Sequence, residues 1–107
     1  MLNNISGTKK SHTPESILNY ICKTEDITQE EITSASRTRK IARTRQKIIY
    51  ILRKHTGISY IQIAKMLGNK DHSSIIYAET QAKKLIRTMP EFAADIANAE
   101  KQLNLNS

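Results

Sequence analysis

The sequence predicts an all-α fold, a small bundle of about six helices that contains a helix-turn-helix. Apolar residues recur at the 3.6-residue period of an amphipathic helix through most of the chain, and no segment alternates as a strand would. Capping residues, prolines and glycines divide this pattern into separate helices. The segment 59–78 then has the layout of a short helix, a glycine turn and a longer helix, which is the layout of a helix-turn-helix.

The first two helices are predicted from their starting signals. A capping threonine, a proline and an acid at positions 13–15 begin the first helix, with Ile17, Leu18 and Ile21 as its buried stripe. Cys22 lies beside that stripe and has no electropositive helix start to activate its thiol. We therefore expect a small buried residue rather than a reactive one. A capping-box spacing at 28–31 begins a short second helix that should run to about Ser34.

A long third helix should follow a loop at 35–38 and run from about Arg39 to His55, with Gly57 ending it. Its apolar positions at helical spacing are Ile41, Ala42, Ile48, Ile49 and Leu52. Between them lie basic residues that should face outward, namely Arg43, Lys47 and Lys54.

The segment 59–78 contains the motif around which the other helices are expected to pack. Ser59 and Gln62 have capping-box spacing, Gly68 and Asn69 tolerate a left-handed turn, and Asp71 can cap the next helix. The apolar positions of that helix are Ile75, Ala78, Ala82, Leu85 and Ile86. Met89-Pro90 should end it, and a last amphipathic helix is marked by Phe92, Ile96, Ala99 and Leu103.

The domain organisation follows from length and composition. At 107 residues the chain is long enough for one domain with one modest core. We predict a flexible arm or linker at 1–12, a helical domain at 13–104 and a frayed terminus at 105–107. A single cysteine fits a reducing cytoplasm, and no apolar run suits a membrane span or a signal peptide. These features predict a soluble, intracellular protein.

The charge is unevenly distributed. There are 17 Lys and Arg against 10 Asp and Glu, a net charge of +7, and residues 32–70 include no acid. The basic residues of that window are Arg37, Arg39, Lys40, Arg43, Arg45, Lys47, Arg53, Lys54, Lys65 and Lys70. A charge run is often only a solvated face, but clustering beside a helix-turn-helix favours a phosphate-binding surface. Nucleic acid is the first partner to consider, and an anionic membrane surface is the second.

The sequence offers no support for catalysis or for a bound metal. The histidines His12, His55 and His72 are far apart, and there is no cysteine pair at metal-ligand spacing. The glycines Gly7, Gly57 and Gly68 are isolated, so no phosphate-cradling loop is formed. The serines beside His72 lie on a helix turn rather than on a nucleophile elbow. We expect no enzyme activity, no cofactor and no metal.

The first turn of the second helix in the motif carries the candidate site. Asp71 has a simple interpretation as a helix cap, and a sharper one as an acceptor for the amino group of cytosine or adenine in the major groove. His72 could donate to a base or a phosphate, or could be a plain surface histidine. The hydroxyls and amides of Ser73 and Ser74 can meet phosphate on the same turn.

Residues 37–78 resemble domain IV, the DNA-binding domain, of the bacterial chromosomal replication initiator DnaA. The matching motifs are Ala42-Arg43-Thr44-Arg45-Gln46 and Asp71-His72-Ser73-Ser74-Ile75-Ile76-Tyr77-Ala78. They correspond to the family's Ala-Arg-x-Arg-Gln helix and to its Asp-His-Thr-Thr signature. The resemblance extends more weakly from about Pro14 to Leu103. It implies a helical bundle around a helix-turn-helix, of the Trp-repressor-like kind.

The resemblance also implies a DNA-binding site. Arg37 matches the arginine that enters the minor groove. The residues that match major-groove readers are Asp71, His72 and Ser73, and those that match phosphate contacts are Arg45, Gln46, Arg53, Lys70 and Ser74. The expected target is a short A/T-rich box like the family's TTATCCACA. Lys70 replaces the family's usual arginine and Asn69 a glycine. Ser73 lacks the methyl group that a threonine would pack on thymine, which would relax specificity at that step.

Several alternatives stay open. The resemblance covers only the last domain of the initiator and includes no ATPase module. The chain is therefore either an excised domain or a stand-alone protein that competes for boxes or regulates transcription or replication at them. A protein-interaction module that retains the fold without box-specific binding is a rival, and so is charge-driven RNA or membrane-surface binding. Few aromatics and no strongly apolar opposite face weigh against the last two. We expect a monomer, associated with the nucleoid in the cytoplasm.

Overall fold

The computed structural model describes residues 12–105, and these fold into six α-helices with no strand in that range. The helices are α1 (Pro14–Glu25), α2 (Gln29–Thr33), α3 (Arg39–His55), α4 (Tyr60–Met66), α5 (His72–Thr88) and α6 (Pro90–Gln102). The all-α prediction is confirmed. The arm predicted at 1–12 lies outside the described residues except for His12.

Three helix starts are built as the sequence predicts. The Thr13 side chain accepts a hydrogen bond from the backbone N–H of Ser16 at 3.1 Å and begins α1. Complete capping boxes begin α2, through Thr28 and Glu31, and α4, through Ser59 and Gln62. Each box satisfies two backbone donors that a helix start would otherwise leave without partners. Because both partners are three residues apart, these starts depend on local sequence alone.

The helix α3 lies at the centre of the bundle and packs against each of the other five helices. Its apolar side chains are almost completely shielded from water, with Ile48, Ile51 and Leu52 each 0% exposed. Burying one side chain of this size contributes about 1.5–3 kcal/mol. Because α3 is covered on several sides, more of its surface is buried than a single apolar stripe would suggest.

Lys47 does not face outward, although the sequence predicted that it would. Its side chain is buried, and its ammonium lies 2.9 Å from Glu25 on α1 and 2.7 Å from Asp95 on α6. Burial by itself lowers the pKa of Lys47, but the hydrogen bonds to Asp95 and Glu25 outweigh it and the pKa is raised. The sequence prediction was wrong because it assumed one buried face on α3.

A second ionic contact fixes the end of α6. The buried Glu100 carboxylate lies 2.8 Å from the Lys54 ammonium and 2.7 Å from a ring nitrogen of His55, both at the end of α3. Burial raises the pKa of Glu100, but these hydrogen bonds outweigh it and hold the pKa below its usual value. Leu105 donates its N–H to the Glu100 carbonyl at 2.8 Å. Of the terminus predicted to fray at 105–107, Leu105 has this one backbone bond, and residues 106–107 lie outside the described range.

The predicted turn between α4 and α5 is also confirmed. Gly68 (φ 95°) and Asn69 (φ 59°) are left-handed, a conformation that these two residue types adopt at low cost. The N–H of Lys70 then returns to the Ala64 carbonyl at 3.0 Å. The turn places α5 across α4 and against α3.

Replacing Lys47 with methionine should destabilise the fold. The substitution keeps a similar length and apolar stem but leaves two carboxylates without their cation. The Glu25 and Asp95 side chains are 23% and 50% exposed, so water can partly replace the ammonium. The expected loss is therefore about 1–3 kcal/mol in the free energy of unfolding, measured by urea denaturation at pH 7.

Lys84→Met is the matched control, because Lys84 is exposed on α5. It removes the same charge and should change stability by no more than about 0.5 kcal/mol. Equal effects of the two substitutions would show that the ion pairs of Lys47 contribute no net stability.

Candidate nucleic-acid interface

The first turn of α5 protrudes from the domain. Asp71, His72, Ser73 and Ser74 are all exposed, whereas the next residue, Ile75, is buried at 2% exposure. Ile75 anchors the helix while the four polar side chains before it face solvent. The first N–H groups of a helix have no partner within the helix, so this tip can offer backbone donors as well as side chains.

The Asp71 side chain makes no capping hydrogen bond, although Asp71 occupies the N-cap position of α5. Asp71 is thus the N-cap residue by position, as the sequence allows, but its carboxylate does not supply the capping bond. The Asp71 carbonyl instead accepts from the Ser74 hydroxyl at 2.6 Å and from the Ser74 N–H at 3.0 Å. The hydroxyl of Ser74 supplies the local bond, and the carboxylate of Asp71 is directed to solvent without this constraint.

Arg37 and the tip of α5 lie around the same groove. The groove has a volume of about 570 Å³ and lies between the α2–α3 connection, α3 and α5. Arg37, Gln46, Lys70 and Ser74 contribute to its lining. Arg37 itself is exposed. Arg37, the predicted minor-groove contact, thus shares this groove with residues predicted as phosphate contacts. Asp71 and His72, predicted as major-groove contacts, line an adjoining depression that also includes Lys70.

Tyr77 also lines this groove and is 65% exposed, which is high for an aromatic side chain. Tyr77 belongs to the family motif at 71–78, but no role was predicted for it. The signal was available, since Tyr77 lies three residues after Ser74 and so shares a face of α5 with it. Its ring and hydroxyl extend the candidate surface by one helical turn.

The Arg45 guanidinium is bound inside the protein. Its Nε donates to the Ile32 carbonyl at 2.9 Å, Nη1 donates to Ser36 at 2.6 Å and Nη2 donates to Ser34 at 2.6 Å. Burial lowers the pKa of Arg45, yet an arginine remains charged at neutral pH. Most of the fixed donors of this side chain already have partners, so little of its hydrogen-bonding capacity faces outward.

Lys70 approaches the same carbonyl groups from the turn before α5. Its ammonium donates to the carbonyl of Thr33 at 3.1 Å and to the carbonyl of Ser34. The pKa of Lys70 is lowered, mainly by burial and to a smaller extent by the neighbouring positive charge of Arg45.

Arg53 holds α4 against α5. Its guanidinium stacks over the Tyr60 ring, 4.0 Å from the centroid, and donates to the Ile58 carbonyl at 2.8 Å. The Tyr60 hydroxyl donates to Glu79 on α5 at 2.6 Å. This hydrogen bond raises the pKa of Tyr60. Together these contacts fix how the two helices of the motif cross.

The predicted site residues thus fall into two groups. The structure presents Arg37, Asp71, His72, Ser73 and Ser74 to solvent. Arg45, Arg53 and Lys70 have partners within the domain, and Gln46 is half-buried beside Arg43. The contacts of both groups with DNA stay predictions.

Within residues 12–105, no three His, Cys, Asp or Glu side chains come together as a metal-binding group. None of the helices described there combines the length and apolar character needed to cross a bilayer.

The fold and the exposed helix tip define a helix-turn-helix protein. Its short first helix is α4, its turn carries Gly68, and α5 presents its first turn to solvent. The family model described as "Bacterial dnaA protein helix-turn-helix" matches residues 14–81, well over half of the chain. The chain belongs to this family, the helix-turn-helix domain of bacterial DnaA.

Curated relatives agree with the family match. The chain is 31% identical over 104 residues to the chromosomal replication initiator protein DnaA of Trichormus variabilis. These residues are 96% of the chain and 23% of the relative. It is 33% identical over 94 residues to the protein of the same name from Bacteroides fragilis, which covers 88% of the chain and 20% of the relative. The chain therefore spans about a fifth of the length of the relatives it matches.

Proposed function

We propose that the domain binds double-stranded DNA at short, A/T-rich sites like the DnaA box, with the first turn of α5 in the major groove. The observation that carries this proposal is a protruding tip of one acid and three polar residues beside a cationic groove. A carboxylate near phosphates is repelled by them, and it is favourable there only if it accepts from a base. Asp71 occupies the N-cap position without a side-chain capping bond, so its carboxylate is available to accept from a base.

Each exposed residue then has a role that its chemistry allows. The Asp71 carboxylate accepts from the amino group of cytosine or adenine, and His72 and Ser73 meet neighbouring base edges. Ser74 is proposed as a phosphate contact by resemblance. Its hydroxyl and its N–H both donate to the Asp71 carbonyl, so one of them would have to share or exchange that acceptor to bind a phosphate. Arg37 enters the minor groove, whose negative potential is strongest where A/T tracts narrow it.

Electrostatic attraction comes first from the exposed cations around this site. Arg39, Lys40 and Lys65 are exposed and would act on DNA before any direct contact forms. Gln46, Arg45, Arg53 and Lys70 are proposed as phosphate contacts by resemblance. The last three would have to share or exchange their present partners in the protein to make such contacts.

The biological setting that fits is the initiation of chromosomal replication or its regulation, since the relatives are named as chromosomal replication initiator proteins. The domain would act as a monomer on the nucleoid, either within a longer initiator or as a stand-alone protein. It would contribute binding rather than catalysis.

The second candidate is a protein-interaction module or transcriptional regulator without box-specific binding. One observation favours it, namely the exposure of Ile61 at 57% and Tyr77 at 65% on the two helices of the motif. Exposed apolar side chains are common in protein interfaces.

Selection from random duplex DNA at about 150 mM salt tests the proposal, because salt at this concentration weakens binding that depends on charge alone. We expect a single asymmetric A/T-rich box to be enriched, and enriched sequences to bind at least about 10³-fold more tightly than scrambled duplexes. A pool that remains random after selection would refute box-specific binding and favour the second candidate.

Asp71→Ala should reduce discrimination at one base step. Loss of the carboxylate acceptor should cost about 1–3 kcal/mol on the selected box relative to the box mutated at that step. Binding to scrambled duplex should change little or become slightly tighter, because a negative charge is removed. Fluorescence anisotropy on the three duplexes measures the difference.

Glu91→Ala is the charge-matched control for Asp71→Ala, since Glu91 is exposed on α6. It should leave discrimination unchanged. If Asp71→Ala weakens box and scrambled duplexes equally, Asp71 does not read a base.

Arg37→Ala should weaken binding most at boxes with A/T-rich flanks. The reason is that a narrow A/T minor groove attracts an arginine more strongly than a G/C-rich one. Affinities for boxes with A/T and G/C flanks, measured for wild type and variant at one salt concentration, give the preference. Arg39→Ala removes a neighbouring exposed charge and should weaken both duplexes alike. An equal loss on both duplexes for Arg37→Ala would exclude the minor-groove role.

A further inference from the structure

Two cations from different parts of the chain meet at the end of α2. Arg45 of α3 donates to the carbonyls of Ile32, Ser34 and Ser36, with a longer contact to Glu31 at 3.4 Å. Lys70, from the turn before α5, donates to the carbonyls of Thr33 and Ser34. We call these five carbonyls, of Glu31, Ile32, Thr33, Ser34 and Ser36, the carbonyl cluster.

The helix-turn-helix turn also touches this cluster through backbone packing. A Cβ atom built on Gly68 would lie only 2.2 Å from the Thr33 carbonyl oxygen, so no side chain can fit there. Gly68 also has φ 95°, which favours glycine independently of the space. The turn that leads into α5 is therefore seated directly on the end of α2.

The cluster has the chemistry to hold two positive charges. The last carbonyls of a helix have no partner within it and carry partial negative charge. Charge-assisted hydrogen bonds to them are stronger than bonds between neutral groups. The two cations repel each other, and the carbonyls of the cluster, of which that of Ser34 binds both, offset that repulsion. Within residues 12–105, neither cation has a carboxylate among its hydrogen-bond partners, and both are held by backbone carbonyls of α2 and of the α2–α3 connection.

The position of the cluster gives these contacts a consequence for the interface. Ser34 and Ser36 belong to the α2–α3 connection that carries Arg37, whereas Lys70 directly precedes Asp71. The minor-groove and major-groove candidates therefore both extend from segments tied to the same few carbonyls.

We infer that Arg45 and Lys70 are positioning residues that fix the separation between Arg37 and the tip of α5. This inference rests on the proposed function, and it gives these two residues the role of holding two DNA-contacting segments at a fixed separation. A side chain in the minor groove and a helix tip in the adjacent major groove lie on either side of a phosphate backbone. Holding both at the correct separation before binding avoids the entropy cost of ordering the connection on DNA.

The inference differs measurably from the phosphate-contact role that the family resemblance gives to Arg45 and Lys70. Removal of a phosphate contact weakens all duplexes alike and lowers the salt slope of binding by about one. Loss of a positioning contact removes the contribution of Arg37 and therefore weakens boxes with A/T-rich flanks more than boxes with G/C-rich flanks. The two roles are therefore separable by comparing the loss of affinity on A/T-rich and G/C-rich flanks.

Arg45→Lys is the decisive variant, because it keeps the positive charge but cannot donate to three carbonyls in a planar fork. We expect it to lose at least about fivefold of the preference for A/T-rich over G/C-rich flanks. Adding Arg37→Ala to this variant should then have little further effect. Arg39→Lys, at an exposed position, is the matched control and should behave as wild type.

Trypsin cleavage after Arg37 provides a readout without DNA. Cleavage of a loop follows its local opening, so releasing the connection should speed the cut at Arg37 at least fivefold in Arg45→Lys. The unfolding temperature shows whether the whole domain has loosened. Should Arg45→Lys unfold, Lys70→Met serves as the second variant and should also speed this cut.

The outcomes separate the inference from the proposed function. Unchanged cleavage at Arg37 in both variants would show that Arg45 and Lys70 do not hold the α2–α3 connection in place, whatever the DNA results are. Additive effects of Arg45→Lys and Arg37→Ala, or a salt slope lowered by one in Lys70→Met with equal loss on all duplexes, would overturn the spacing role. If the wild-type protein selects no box, the proposed function fails. Faster cleavage in the variants would then support only the holding of the α2–α3 connection by Arg45 and Lys70.

Discussion

The structure depends on burying α3, a helix rich in lysine and arginine, at the centre of the bundle. Burial of an unpaired charge is strongly unfavourable, so every cation of α3 that leaves water needs a partner. Lys47 finds carboxylates on α1 and α6, Arg45 finds carbonyls at the end of α2, and Arg53 finds the Tyr60 ring and a carbonyl. Because these partners come from the surrounding elements, placing the charges of α3 also orients the elements packed around it.

This arrangement links the core to the surface that faces DNA in our proposal. Arg53, Tyr60 and Glu79 fix the crossing of α4 and α5, and Ile75 anchors α5 just behind its exposed first turn. The tip can protrude because the helix is held by its second turn and by its neighbours. A rigid helix end costs less entropy on binding than a mobile loop would.

The same constraint divides the basic residues into two groups. A cluster of positive charge in the sequence suggests a uniform phosphate-binding surface, but part of that charge is used within the domain. Arg37 and Arg39 are exposed, whereas Arg45 and Lys70 are half-buried against backbone carbonyls. The groove of the candidate site is thus both lined and supported by cations. In our proposal the exposed cations attract DNA, and the half-buried cations hold the shape of the groove.

Family membership and geometry support different parts of the conclusion. The family match covers residues 14–81 and therefore includes the basic segment, α4 and the part of α5 up to residue 81. It does not extend over α6, which packs on the bundle and whose Asp95 and Glu100 pair with cations of α3. The match identifies the type of domain, and the contacts show how this chain completes its core.

The sequence by itself determined the helices and the turn. Thr28 with Glu31, Ser59 with Gln62, and the pair Gly68-Asn69 act over a few residues, so their structural effect can be predicted locally. The exposed tip was also predictable, because a family motif marked it.

Only the tertiary structure decided which charges are buried and what they bind. The carboxylates that pair with Lys47 are 22 and 48 residues away, and the carbonyls that bind Lys70 are 36 and 37 residues away. Helical periodicity places a side chain on one face of a helix, but it does not say which other element covers that face. Such contacts form only when the bundle is assembled, so Lys47 was wrongly predicted to face outward and Arg45 gave no sign of its carbonyl partners.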